Sequence, residues 1–153
     1  MDTEIEFDLG FFNRYNVRMS LIVDTSIILA AILGEQEKPI IEKLTVGEEL
    51  IAPSVLTYEV GNAFSRMIKR SRMTAAQVRE AVEIYLSIPV RLVETDLRES
   101  LDISISHRIY AYDACFIEAA RRLRQRLLTL DLEMMRVARD CGVKVMEVRN
   151  EGF

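Results

Sequence analysis

From Met19 onward, short apolar runs alternate with longer stretches of helical period, and this alternation restricts the fold more than any other feature of the chain. Leu21–Val23, Glu49–Ala52, Val90–Val93, Leu127–Leu130 and Val143–Val148 read as five strands. Ser26–Leu33 reads as a helix, and a second runs from Pro53-Ser54 to Arg70 with Leu56, Val60, Ala63, Phe64 and Met67 on one face. Thr74 and Gln77 form a capping-box pair for a helix to Ser87. Asp96 with Glu99 opens another helix, whose Leu97, Leu101 and Ile105 are expected to face inward. Helices over Tyr112–Arg124 and Leu132–Cys141 follow, the last ending at Gly142. Strands joined by helices predict a parallel sheet covered on both faces, an α/β fold. At 153 residues, half of them hydrophobic, one domain with its own core is expected. Residues 1–18 carry no period and read as an extension, with Phe11, Phe12 and Tyr15 available to dock; 19–153 read as the domain.

Four acids fall at the ends of these elements. Asp24 closes the first strand and Asp131 the fourth, while Glu59 and Asp113 lie near the starts of helices. In a parallel sheet, ligands bind beyond the carboxyl ends of the strands, where strand order reverses. Asp24, Asp131 and Glu59 belong at that edge. Spacing alone does not bring Asp113 there, because its helix would have to approach the edge in the opposite sense. Two carboxylates about 4 Å apart repel by roughly 4 kcal/mol at an effective dielectric of 20, so a cluster of them calls for a cation. Oxygen donors suit Mg²⁺ or Mn²⁺. Zinc is disfavoured, since His107 is the only histidine and Cys115 and Cys141 lack ligand spacing. Singly, Asp24, Asp113 and Asp131 each also fit a helix N-cap, and Glu59 a solvated helix face.

Taken together, Asp24-Thr25-Ser26, Glu59-Val60-x-Asn62-Ala63, Tyr112-Asp113-Ala114 and Thr129-x-Asp131 resemble the four motifs of the PIN-domain nucleases, and most of all the VapC-type toxins of toxin–antitoxin pairs. The resemblance covers about residues 19–148. It implies a three-layer α/β/α fold with a five-stranded parallel sheet. It also implies a Mg²⁺- or Mn²⁺-dependent endoribonuclease in which a metal-activated water attacks an RNA phosphodiester in line. On that pattern Asp24, Asp113 and Asp131 bind metal, Glu59 holds the metal or orients the water, and Thr25, Ser26 and Thr129 support them by hydrogen bonds. A homodimer is implied as well. So is a small antitoxin that sets a basic side chain among the carboxylates and lies in a groove between the helices Ser54–Arg70 and Thr74–Ser87.

Asn62 and Arg66 extend a polar stripe from Glu59 along one helix. Asn62 is read as a brace for the site and Arg66 as an RNA-backbone contact, against the alternative of an ordinary wet face. Lys69, Arg70 and Arg72 end the same helix and are further candidates for gripping RNA, or they offset the helix dipole. Arg121, Arg122, Arg124 and Arg126 lie about 16 Å along their helix from Asp113 and are assigned to the dipole. His107 is read as a surface or helix-end residue, and Met67, Met73, Met134 and Met135 as fillers of the core or an interface.

A net charge of −4 argues against a strongly basic nucleic-acid binder but not against a nuclease, whose acidic site contributes to that charge. The two cysteines, without CxxC spacing, read as reduced and buried in a cytoplasmic protein. Leu21–Leu33 is interrupted by Asp24, Thr25 and Ser26 and is too short to span a membrane, and the acidic start is unlike a signal peptide. Three other readings remain at the sequence level. They are a PIN nuclease of RNA processing or decay without an antitoxin, a non-catalytic binding module on the same fold, and a phosphohydrolase with Asp24 as nucleophile. The last lacks the second Asp usual two residues on.

Overall fold

The structure, a computed structural model, describes residues 19–149. The extension read over 1–18, with its three aromatic residues, lies outside the described residues. Five strands, β1 (Ser20–Val23), β2 (Glu49–Pro53), β3 (Val90–Val93), β4 (Arg126–Leu128) and β5 (Val145–Met146), form one parallel sheet in the order β3-β2-β1-β4-β5. Seven helices accompany them among the described residues. These are α1 (Thr25–Leu33), α2 (Lys38–Thr45), α3 (Val55–Lys69), α4 (Ala75–Ser87), α5 (Leu97–His107), α6 (Ala111–Leu123) and α7 (Leu132–Asp140). The expected α/β/α architecture with five parallel strands is what forms.

β1 is the central strand, and Leu21, Ile22 and Val23 are inaccessible on both of its faces, as expected for a strand covered by helices on each side. From β1 the chain proceeds outward to β2 and β3 on one side, then returns to lay β4 and β5 on the other. The strand order therefore reverses between β1 and β4, whose carboxyl ends are in register at Val23 and Leu128. This is the crevice where an open α/β sheet receives ligands.

The capping box holds as expected: Gln77 N–H donates to Thr74 Oγ1, and Thr74 N–H to Gln77 Oε1. Gly142 takes a left-handed φ of 78° after α7, where a side chain would be strained. α6 is buried almost all round, from Ala114 to Ala120, because it packs against α5, α7 and three strands. A helix that feeds directly into a parallel strand runs against it. α6 ends at Leu123 and β4 begins at Arg126, so the first turn of α6 lies back at the carboxyl edge. That resolves how Asp113 reaches the site.

Several expectations are corrected. Leu97, Leu101 and Ile105 of α5 are exposed, and Ser100 and Ile103 face the interior instead. Ser100 Oγ donates to Asp96 C=O (2.8 Å), so a small, internally satisfied side chain occupies the face of α5 that packs against α6. β4 stops at Leu128 rather than Leu130. Beyond it, two N–H groups donate to side chains instead of a strand: Leu130 N–H to Ser26 Oγ (3.0 Å) and Asp131 N–H to Thr129 Oγ1 (3.0 Å). β5 keeps only two of the six residues read as strand. α2, with Pro39 in its first turn, forms in a stretch the sequence left unassigned.

Three of the four distal arginines do more than offset a dipole. Arg121 pairs with Glu99 (2.8 Å) and Arg126 with Glu48 (2.8 Å), while Arg122 bonds the buried Glu118 (2.5 Å) and the carbonyl of Glu94 (2.7 Å). Cys115 is buried as read, and burial raises its thiol pKa. Cys141 is only partly buried, 3.6 Å from Nε2 of His107, which ends α5 as expected. Met134 and Met135 are buried, and Met67 and Met73 pack against the core.

Candidate metal centre

Asp24 follows β1 directly and caps α1. Its Oδ1 accepts from Ile27 N–H (3.2 Å) and Ser26 Oγ (2.6 Å), and its Oδ2 accepts from Thr129 Oγ1 (2.6 Å). The residue is 3% exposed. Burial pushes its pKa up to about 6, against the opposing effect of these three hydrogen bonds, and the charge of Asp131 adds to the rise. The capping role and the site role therefore fall on one residue. Ser26 and Thr129 reach across the crevice: Ser26 Oγ accepts from Leu130 N–H, and Thr129 Oγ1 accepts from Asp131 N–H. Two hydroxyls thus tie the turn after β1 to the turn after β4.

Asp131 caps α7 through Met134 N–H (2.9 Å) and stands at the surface of the same crevice. Asp113, in the first turn of α6, is half-buried. Its pKa is raised by burial first and then by the charges of Asp131 and Glu133. Glu59, in the second turn of α3, accepts from Thr25 Oγ1 (2.9 Å). Burial raises its pKa, the Thr25 bond lowers it, the charge of Asp113 raises it and that of Arg66 lowers it. The repulsions form a chain from Asp24 through Asp131 and Asp113 to Glu59, so the fold brings all four sequence-read acids into one electrostatic group. Glu133 joins its rim and was not singled out from the sequence.

A cleft of about 300 Å³ opens at the Glu59 and Asp113 end of this group, lined by Thr25, Tyr58, Glu59, Asn62, Arg66, Tyr110, Tyr112 and Asp113. Of the four cations suggested for RNA, only Arg66 lines it. Lys69 lines a separate groove between α3 and α4, and Arg70 caps the end of α3. Asn62 lies on the cleft wall as read. The three tyrosines are further cleft residues that motif spacing did not single out, although Tyr112 stands inside one motif.

The donors fit a hard divalent cation in kind. They are carboxylate oxygens, and Arg66 is the one cationic side chain in the cleft lining. Among the described residues, no three acidic, Cys or His side chains converge into a metal cage. A cation here would complete its shell with water, which suits Mg²⁺, an ion that usually keeps several waters and takes one or two carboxylates.

The PIN domain family model matches residues 21–140, which include all four acids. Ribonuclease VapC3 of Pyrobaculum aerophilum is 25% identical over 121 residues, covering 76% of this chain and 92% of that protein. Ribonuclease VapC9 of Mycobacterium tuberculosis is 30% identical over 115 residues, covering 74% of this chain and 87% of that protein. Among solved structures, PAE2754 from Pyrobaculum aerophilum superposes with a TM-score of 0.66 at 21% identity, over 84% of each chain. The chain belongs to the PIN-domain family, among its VapC-type members.

Proposed function

We propose that the protein is a divalent-metal-dependent endoribonuclease that acts as the toxin of a toxin–antitoxin pair. The observation that carries this reading is the linked group of four carboxylates at the strand-order reversal, two of which, Glu59 and Asp113, line an open cleft that holds one cationic side chain. In this reading Asp24, Asp113, Asp131 and Glu59 hold Mg²⁺ or Mn²⁺, which, when bound, polarises a phosphate oxygen and lowers the pKa of a water. Ser26 and Thr129 fix both oxygens of Asp24, so it meets the cation in one orientation. Thr25 holds Glu59 in the same manner. Arg66 draws the RNA backbone into the cleft and offsets repulsion from the acids.

The experiment is cleavage of cellular RNA with Mg²⁺ or Mn²⁺ and with EDTA. Cleavage is expected with either metal, none with EDTA, and full recovery when metal is restored. Cleavage that persists in EDTA, or its absence under every condition with the fold intact, sinks the reading.

Arg66→Ala is expected to weaken RNA binding about tenfold, since phosphate contacts carry much of nucleic-acid affinity. The side chain is exposed, so the melting temperature should stay within about 1 °C. Because Arg66 lowers the pKa of Glu59, the acidic limb of the pH–rate profile should also move to higher pH in the variant. Unchanged binding in filter or anisotropy titrations would remove Arg66 from the substrate path.

An antitoxin belongs to the same proposal. α3 and α4 leave an apolar groove of about 370 Å³ lined by Gly61, Phe64, Ser65, Ile68, Lys69, Val78 and Val82, which suits an apolar helix or strand. The exposed stripe Leu97, Leu101 and Ile105 on α5 is the apolar surface that supports a homodimer. Among the described residues no helix is long and apolar enough to cross a membrane, and action on cellular RNA accords with a cytoplasmic site.

A further inference from the structure

Three of the chain's five tyrosines line the cleft over the acids: Tyr58 on α3, Tyr110 at the N-cap of α6 and Tyr112 in its first turn. They are 75%, 84% and 59% exposed, large aromatic rings left open to water beside a polar site. None of their hydroxyls makes a hydrogen bond among the described residues, whereas Tyr85, elsewhere, pairs with Thr57 (2.9 Å). They are not fillers of the core. Tyr58 also shares the face of α3 that carries Asn62 and Arg66, one and two turns on.

The charge balance gives these rings a task. A polyanion entering this cleft meets Glu59 and Asp113 with Arg66 as the one cationic side chain in its lining, and the whole chain carries −4. Phosphate attraction in the cleft therefore rests on one cation, and part of the affinity must come from contacts that do not depend on charge. Stacking of unpaired bases on aromatic faces is such a contact, and every base offers a π-face. Bases in a duplex are stacked inside it and present no free face.

We infer that Tyr58, Tyr110 and Tyr112 form a base-stacking platform that takes the unpaired nucleobases flanking the scissile phosphate. This rests on the ribonuclease reading and deepens it. The rings hold the bases, Arg66 meets the backbone between them, and the acids lie where the phosphate is delivered. An exposed aromatic surface could instead serve a protein partner, and the experiment separates the two.

The chain has no tryptophan, so its intrinsic fluorescence is that of five tyrosines, three of them in the cleft. Protein in Mg²⁺ is mixed with a random-sequence single-stranded RNA, and tyrosine emission is read by stopped flow before cleavage proceeds. The controls are an RNA duplex and a strand of equal length built of abasic residues. The single strand is expected to quench the emission, and the duplex and the abasic strand to leave it nearly unchanged. Tyr58→Ala, Tyr110→Ala and Tyr112→Ala should each raise the half-saturating RNA concentration about fivefold or more, and the Phe variants should match wild type, because the ring face and not the hydroxyl does the holding. Abasic-strand binding should be the same in all variants. If the Ala variants bind and cleave single-stranded RNA like wild type, the platform is disproved while the ribonuclease reading stands. The platform is equally disproved if only binding of a protein partner is lost, if the Phe variants fall as far as the Ala variants, or if the abasic strand quenches equally. If wild type neither binds nor cleaves any RNA, the ribonuclease reading fails and the platform with it.

Discussion

Asp24→Asn is expected to cut RNA cleavage by about 10²–10³, the scale for losing one preorganised electrostatic group, and to make the metal-free protein more stable than wild type at pH 8. The two effects have one source. The carboxyl of Asp24 is buried beside Asp131, and its pKa stands at about 6 rather than 3.8. The folded state therefore holds the Asp24 proton more tightly than the unfolded chain does. Stability linked to that proton is fully present below about pH 3.8 and is lost as pH rises through about 6. The difference corresponds to about 3 kcal/mol by pH 7–8. Asn cannot ionise, so the variant keeps what the wild type loses. Its amide oxygen can still accept from Ser26 and Ile27, and its amide nitrogen can donate to Thr129 Oγ1, so the cap survives. Melting curves in EDTA from pH 4 to 8 should show the variant ahead at pH 8 and the gap closing toward pH 4. Mg²⁺ should raise the melting temperature of wild type at pH 8 and leave the variant nearly unmoved, because binding to the folded state alone stabilises it. A variant less stable than wild type at pH 8 without metal would show that the buried charge is already compensated within the protein.

The same residue shows what a sequence conveys and what it withholds. Asp24 at the end of Leu21-Ile22-Val23 was legible because a wholly apolar run followed by Asp-Thr-Ser describes a buried parallel strand turning into a capped helix. Asp131 was legible for similar reasons, and the motif resemblance added Asp113, which only the direction of α6 into β4 places at the edge. The face of α5 was misread because Leu97, Leu101 and Ile105 have helical spacing, and spacing alone does not say whether a stripe meets the core or the solvent. Small Ser100 took the interior face. The burial of Glu118 gave no sequence signal, since it depends on where Arg122 and the carbonyl of Glu94 meet in space. The aromatic wall was hidden for a related reason: Tyr58 and Tyr110 lie 52 residues apart and become neighbours of one cleft only when α3 and α6 bring their ends together.

Thr129→Val is the second large effect, and it separates the frame of the site from its acids. Val has nearly the shape of Thr but no oxygen. Thr129 is fully buried, and its single hydroxyl serves two acids at once. It donates to Asp24 Oδ2 at 2.6 Å and accepts from the backbone N–H of Asp131 at 3.0 Å. Removing it leaves a buried carboxylate short of one donor and a backbone N–H without an acceptor, a loss of about 2–4 kcal/mol at pH 8. The hydroxyl is one of the groups holding the Asp24 pKa down, so without it that pKa rises further above 6. The destabilisation should therefore be largest above that pKa and shrink at pH 5, where Asp24 is mostly protonated and no buried charge is left unserved. Denaturant titrations in EDTA at pH 5 and pH 8 measure this directly. RNA cleavage should fall about 10–100-fold, the usual cost of losing a group that orients a metal ligand, with weaker Mg²⁺ dependence of the melting temperature. Thr129→Ser keeps the oxygen and should recover most of the activity, losing only the packing of one methyl group, about 1 kcal/mol. If Ser and Val proved equally damaging at both pH values, the role of Thr129 would be packing rather than the hydroxyl bridge between Asp24 and Asp131. The four carboxylates would then owe their alignment to the capped turns alone.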